Sequence, residues 1–126
     1  MIKIKKILIV EDEPSYSKLL HEELGSIGYK IIEANNGKEG LIAANAEFPD
    51  IIVLDIKMPV MNGMDMLAEI RKSEYGKSVK AIVLTNLEPN DEIIQKVVRD
   101  KPTYYLIKSD IQLNQLIEKI KEILKQ

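Results

Sequence analysis

The sequence predicts an α/β fold, a doubly wound sheet of five parallel strands alternating with helices, (β/α)5. Three observations carry this. Short apolar runs, mostly β-branched, return at intervals along the chain. Between them lie stretches with apolar residues at helical spacing. The length of 126 residues suits one domain and falls well short of the roughly 250 residues of an eight-fold barrel.

The first run, Ile7-Leu8-Ile9-Val10, lacks polar alternation, as expected of a strand covered on both faces. It ends in Glu11-Asp12-Glu13. Pro14 then suits the first turn of a helix in which Tyr16, Leu19, Leu20, Leu24 and Ile27 form the apolar stripe. Ile31-Ile32 marks the second strand, and the turn residues Asn35-Asn36-Gly37 lead to a helix bearing Leu41, Ala44 and Phe48. The third strand, Ile51-Ile52-Val53-Leu54, ends in Asp55, and Asn62-Gly63 precedes a helix with Met64, Leu67 and Ile70. The fourth, Ala81-Ile82-Val83-Leu84, ends in Thr85-Asn86. Asn90 is the cap expected for the helix of Ile93, Ile94, Val97 and Val98. The fifth, Tyr104-Tyr105-Leu106-Ile107, ends in Lys108-Ser109. Ser109 and Asp110 are the cap candidates for a last helix carrying Leu113, Leu116, Ile117, Ile120, Ile123 and Leu124.

Composition narrows the chemistry. With 45% hydrophobic and 30% charged residues the chain can bury a core. It has no cysteine, which excludes disulfides, thiol catalysis and Cys-based metal sites, and one histidine, which excludes a histidine-rich cluster. Eighteen basic against twenty acidic residues give a net charge of −2, so no bulk field recruits nucleic acid. No apolar run reaches the roughly 18 residues of a membrane span, and Met1 to Lys6 alternates lysine with isoleucine rather than forming a secretory signal. The expectation is a cytoplasmic, single-domain protein over residues 1–126 with no output domain, no membrane contact and no direct nucleic-acid partner. His21, off its helix stripe, reads as surface. Arg71, Lys72, Lys77 and Lys80 read as a solvated basic cluster, and Met58, Met61, Met64 and Met66 as flexible packing.

In open doubly wound sheets ligands sit beyond the carboxyl ends of the strands, at the point where strand order reverses. In the flavodoxin-like order 2-1-3-4-5, strands 1 and 3 are neighbours and strand 4 follows. Glu11, Asp12 and Asp55 then share one crevice. Three adjacent carboxylates repel unless a cation neutralises them, and oxygen-only ligands favour a hard divalent ion such as magnesium. A carboxylate there can ligate or can attack phosphorus as a nucleophile. Thr85 and Lys108, one from each remaining strand end, can meet the phosphoryl oxygens. The plainer alternatives are an acidic helix start for Glu11 to Glu13, which is the favoured reading of Glu13 alone, an ordinary strand-end hydroxyl for Thr85, a solvated charge for Lys108 and a core residue for Tyr105.

Taken together, these residues resemble the receiver domain of response regulators, the phosphoryl-accepting half of two-component signalling. The resemblance spans Ile7 to Leu124. It rests on Ile7-Leu8-Ile9-Val10-Glu11-Asp12-Glu13, on Leu54-Asp55-Ile56-Lys57-Met58-Pro59-Val60-Met61-Asn62-Gly63, on Leu84-Thr85 and on Tyr105-Leu106-Ile107-Lys108. It implies that Asp55 is the phosphoacceptor in a Mg2+-dependent reaction. Glu11, Asp12, Asp55 and the backbone carbonyl of Lys57 would hold the metal. Thr85 and Lys108 would contact the phosphoryl group, and Thr85 with Tyr105 would form the switch. The donor would be a sensor histidine kinase or a histidine phosphotransfer protein. A downstream protein would dock on the face of helix 4, strand 5 and helix 5, and the chain would not be an enzyme. Two positions depart from the pattern: Asn86 stands where the family usually has a small residue, and Ser109 where it usually has proline, so a trans Lys108–Ser109 bond is expected. A degenerate receiver used only for protein contacts is an alternative. An aspartyl-nucleophile phosphohydrolase is another, less favoured because Asp55-Ile56-Lys57 lacks a second acid, and a nucleotide-binding module would want a glycine-rich loop where Glu11-Asp12-Glu13-Pro14 stands.

Overall fold

The computed structural model describes residues 3–125, so Met1 and Ile2 of the opening run lie outside it. Strands β1 (Lys6–Val10), β2 (Lys30–Ala34), β3 (Ile51–Leu54), β4 (Lys80–Thr85) and β5 (Tyr104–Ile107) form one sheet in the order β2-β1-β3-β4-β5. Every pairing is parallel. Helices α1 (Pro14–Ile27), α2 (Gly37–Glu47), α3 (Gly63–Ile70) and α4 (Asp91–Asp100) connect successive strands. A single 3-10 turn, Lys108–Asp110, separates β5 from α5 (Leu113–Leu124). Fold class and strand order match the expectation.

The apolar runs are continuous because both sheet faces are covered. Successive side chains of a strand point to opposite faces. Leu8, Val10, Ile52, Leu54 and Val83 pack with Ala44, Met64, Leu67, Ile70 and Ile93 of α2, α3 and α4. Their neighbours Ile7, Ile9, Ile51, Val53 and Ile82 pack with Leu20, Leu24, Leu116, Ile120 and Leu124 of α1 and α5. Met64 and Met66 are part of the core and fully buried. The edge strands β2 and β5 are only partly covered.

The turn residues act as the sequence implies. Pro14 opens α1 directly after Glu13, which caps without a side-chain bond. Asn36, Asn62 and Asn90 accept hydrogen bonds from the backbone N–H of Glu39 (2.9 Å), Asp65 (2.8 Å) and Ile93 (2.9 Å), satisfying donors that a helix start leaves free.

Four readings need correction. Leu19 and Ile27 flank the α1 stripe and are exposed, as are Ile94 and Val98 on α4; only Leu20, Leu24 and Ile93 are buried. Phe48 ends α2 with φ 50° and lies exposed, its ring edge-on to Tyr75 with centroids 5.2 Å apart. Ser109 and Asp110 do not cap α5, because the 3-10 turn uses them. Gln112 occupies that position, its N–H donating to Gln115 Oε1 at 2.9 Å. Finally, Arg71 is not a solvated charge. Its Nε donates to the Asp100 carbonyl (2.8 Å), and its Nη1 to the carbonyls of Gly76 (2.8 Å) and Val79 (2.6 Å). The guanidinium thus ties the end of α3 to the end of α4 and to the approach to β4. His21 is exposed, as expected, and has a partner: its Nδ1 lies 2.7 Å from Glu33 Oε2, while the Ser17 hydroxyl donates to the other oxygen of Glu33. These two hydrogen bonds, Ser17's first, hold the Glu33 carboxyl below the usual range.

Removing Arg71 strands carbonyls that no single smaller side chain can reach together. Arg71→Ala is expected to cost about 3 kcal/mol, from losing several charge-assisted hydrogen bonds. Arg71→Lys should recover little of it, since an ammonium lacks the planar fork. The urea midpoint checks this; a shift worth less than about 0.5 kcal/mol, the size of an ordinary surface change, would contradict it.

Candidate functional site

The strand order brings the carboxyl ends of β1, β3, β4 and β5 side by side, and each contributes a polar residue. Glu11 and Asp12 follow β1, Asp55 follows β3, Thr85 closes β4 and Lys108 follows β5. Glu11, Asp55 and Thr85 are buried, while Asp12 and Lys57 reach the surface. A cavity of about 360 Å³ opens between them, lined by these five residues together with Lys108.

Lys108 is the pivot. Its Nζ donates to Glu11 Oε1 at 2.6 Å and to Asp55 Oδ2 at 2.9 Å. It also lies 4.5 Å from the centroid of the Tyr16 ring. Burial works against its charge, but its hydrogen bonds to Glu11 and Asp55, with the charges of those carboxylates, together outweigh burial and raise its pKa above the ordinary lysine value. At Glu11 burial prevails instead. Burial pushes its carboxyl above the usual range, against the lowering effects of Lys108 and of the Glu13 N–H, which donates to Glu11 Oε2 at 3.1 Å. The other oxygen of Asp55, Oδ1, accepts from its neighbour's N–H, Ile56 N, at 2.7 Å. Both oxygens of the central carboxylate are therefore oriented.

One backbone feature fixes the position of Asp55. Gly63 N donates to the Ile56 carbonyl at 2.8 Å, and a Cβ on Gly63 would stand 1.9 Å from the carbonyl oxygen of Asp55. Only glycine lets the start of α3 lie this close. The pair Asn62-Gly63 reads in the sequence as a turn, yet its glycine supports the residue at the centre of the site.

Carboxylate oxygens of Glu11, Asp12 and Asp55 all lie within 4.8 Å of one another. One ammonium pairs with two of the three, Glu11 and Asp55. The remaining negative charge and the all-oxygen donor set fit a small hard cation that keeps part of its water shell, as magnesium does. No softer donor is present, since the chain has no cysteine and His21 belongs to the α1–β2 contact.

Thr85 Oγ1 accepts a long hydrogen bond, 3.3 Å, from the N–H of Leu87, and the Tyr105 hydroxyl donates to the Leu87 carbonyl at 2.6 Å. Tyr105 therefore faces the β4–α4 loop. Tyr104 faces the other way, with Lys119 Nζ 4.6 Å from its ring centroid. The two adjacent tyrosines thus point to opposite faces of the sheet. All of Glu11, Asp12, Asp55, Lys57, Thr85 and Lys108 meet at one cavity, and Tyr105 stands one loop away. Two participants were not legible from the sequence: Tyr16, hidden in a helix stripe, lies beneath the Lys108 ammonium, and Asn86 accepts from the Ser109 N–H at 3.0 Å. The Lys108–Ser109 bond is trans.

The profile of a family described as response regulator receiver domain matches residues 7–121. Among curated proteins, the chain is 42% identical over 83 residues to the probable transcriptional regulator ycf27 of Porphyra purpurea; the match covers 66% of this chain and 33% of that protein. The chain thus spans about a third of the length of that relative. Among solved structures it resembles the response regulator protein TrrA of Thermotoga maritima in complex with Mg2+ and BeF, with 36% identity, a TM-score of 0.82, and coverage of 95% of this chain and 99% of that one. It also resembles a CheY-like receiver domain protein of Methanospirillum hungatei, with 29% identity, a TM-score of 0.88, and coverage of 98% and 95%.

Proposed function

On the ground that this chain belongs to the response regulator receiver domain family, we propose that it is a phosphoryl-accepting switch with Asp55 as the acceptor. The observation that carries this is the Lys108 ammonium bridging Glu11 and Asp55 within a cluster of three carboxylates at the strand ends. Asp55 attacks phosphorus through a carboxylate oxygen. An O–P bond forms and the bond from phosphorus to the donor breaks, its electron pair leaving with the imidazole nitrogen of a phosphohistidine. The donor class is a sensor histidine kinase or a histidine phosphotransfer protein. Water attack at the phosphorus later breaks the O–P bond, releasing inorganic phosphate and restoring the carboxylate.

The residues divide the work. Glu11, Asp12, Asp55 and the Lys57 carbonyl would hold Mg2+. When bound, the metal supplies positive charge to the transferring phosphoryl oxygens. Ile56 N–H holds Asp55 in one orientation. Lys108, already at Asp55 Oδ2, meets the phosphoryl oxygens as they arrive. The receiver is read as acting in the cytoplasm through contacts rather than as an enzyme. None of the helices among the described residues is long and apolar enough to cross a membrane. Ile94 and Val98, exposed on α4, support the face of α4, β5 and α5 as the docking surface for a downstream protein.

The switch follows from one movement. A phosphoryl group offers the Thr85 O–H a charged acceptor, and drawing Oγ1 toward it strains the weak 3.3 Å bond that Oγ1 accepts from Leu87 N–H. Taking it shifts the loop from Asn86 to Asn90, and with it the Leu87 carbonyl that anchors Tyr105. Thr85→Ala should still accept phosphate but lose the shift. One charge-assisted hydrogen bond is worth about 2 kcal/mol, a change of roughly thirty-fold in the balance of states. Amide NMR of the BeF-bound form checks it: shifts in β5 and α4 as large as in wild type would remove Thr85 from the coupling. The function itself is tested by intact mass after incubation with acetyl phosphate. A gain of one phosphoryl group in Mg2+ and none in EDTA is expected; no gain in either leaves the chain as a degenerate receiver.

A further inference from the structure

The residues after Thr85 and Lys108 both depart from the family pattern, and in the structure they are partners. The β4–β5 ladder ends with the pair Thr85 and Ile107. One step further, the Ser109 N–H donates to Asn86 Oδ1 at 3.0 Å. A proline at 109 would have no N–H to give, and a small apolar residue at 86 would have no acceptor. Each departure therefore has a function only in the presence of the other.

The bond acts on a lever. Lys108 opens the 3-10 turn, and its main chain is held on one side by the end of β5 and on the other by this bond. From there its side chain runs to Glu11 at 2.6 Å and Asp55 at 2.9 Å. Both contacts are short, so a displaced Cα must either lengthen them or be absorbed by a change of lysine rotamer, and a fixed main chain spares that adjustment. The peptide after Lys108 is trans, and nothing in a trans Lys–Ser bond by itself fixes the height of the lysine.

We propose that Asn86 and Ser109 form a side-chain clip that positions Lys108 over Asp55. Resting on the assignment of Asp55 as phosphoacceptor, the clip makes Asn86 a positioning residue for phosphoryl transfer, acting through Lys108. It also ties the loop that carries Thr85 to the segment that carries Lys108, so the two groups that meet the phosphoryl oxygens share one mechanical link.

The test follows phosphorylation of Asp55 by acetyl phosphate at saturating Mg2+, read by intact mass over time. Asn86→Ala should slow the reaction by about five-fold, the factor expected for one net hydrogen bond. Ser109→Pro removes the same bond from its other end, so Asn86→Ala combined with Ser109→Pro should be no slower than the slower single variant. In a Lys108→Ala background, Asn86→Ala should have no further effect. A general loosening of the loop would instead slow both backgrounds alike, and that outcome overturns the proposal, as does an unchanged or faster rate in Asn86→Ala. A second measurement stands apart from phosphorylation. The Lys108 Nζ resonance of the metal-free protein, followed by NMR, should move in Asn86→Ala. If wild type takes up no phosphoryl group, the functional reading fails while this resonance still judges the clip: a shift supports it, and an unmoved resonance rejects it.

Discussion

Asp55→Asn is expected to abolish phosphoryl uptake, lowering the rate by about four orders of magnitude, the usual scale for loss of a covalent nucleophile. An amide cannot attack phosphorus at neutral pH, and no second carboxylate is placed to substitute. Glu11 has its oxygens engaged by Lys108 Nζ and by the Glu13 N–H, and Asp12 stands exposed at the rim. The variant should fold. The Asn side chain retains an oxygen for Ile56 N–H and removes one charge from a crowded acidic cluster. The same change should weaken Mg2+ binding, because one of three carboxylates is lost. Intact mass and calorimetry read the two effects separately. Uptake equal to wild type would place the acceptor elsewhere.

Lys108→Ala is expected to destabilise the metal-free protein by about 3 kcal/mol, the scale for removing one member of a buried ion pair. The side chain is 11% exposed, and its partners Glu11 and Asp55 are 4% and 11% exposed, so the stranded carboxylates have little access to water. Mg2+ should restore most of this. An ion at about 100 times its Kd stabilises by about 2.7 kcal/mol, and the variant presents the ion with oxygens that Lys108 otherwise occupies. The stability of Lys108→Ala should therefore rise more steeply with Mg2+ than that of wild type. Denaturant titrations in EDTA and in Mg2+ check it. A variant as stable as wild type in EDTA would mean that Lys108 does not neutralise the cluster.

The parts of the fold and site that were legible in the sequence share a physical cause. A strand buried on both faces must be apolar at every position, so Ile51-Ile52-Val53-Leu54 announces itself, and the first polar residue after it, Asp55, must lie at its end. Asn90 was legible as a cap because a helix start needs an acceptor, whereas Asn36 and Asn62, read as turn residues, prove to cap their helices in the same way. Interactions that depend on convergence in space were not legible. Nothing distinguishes Arg71 from Lys72, Lys77 or Lys80 in the sequence, because carbonyls carry no sequence signal; the fold brings Asp100, Gly76 and Val79 around one guanidinium. Ser109 and Asp110 looked like caps because their side chains suit that position. The backbone N–H of Ser109 is instead committed to Asn86, and the helix starts later, at Leu113. Leu19, Ile27, Ile94 and Val98 fit helical periodicity yet lie at the margins of their stripes, where a helix on a sheet buries only its central row.

The central claim is that one carboxylate, Asp55, becomes the acyl phosphate. Borohydride reduces an acyl phosphate to the alcohol, converting the modified aspartate to homoserine and leaving free carboxylates unchanged. The protein is incubated with acetyl phosphate and Mg2+, reduced, digested and sequenced by tandem mass spectrometry. Homoserine at position 55 alone, absent when EDTA replaces Mg2+, is the predicted result. Homoserine at Asp12, Glu11 or any other carboxylate, with Asp55 intact, would contradict it.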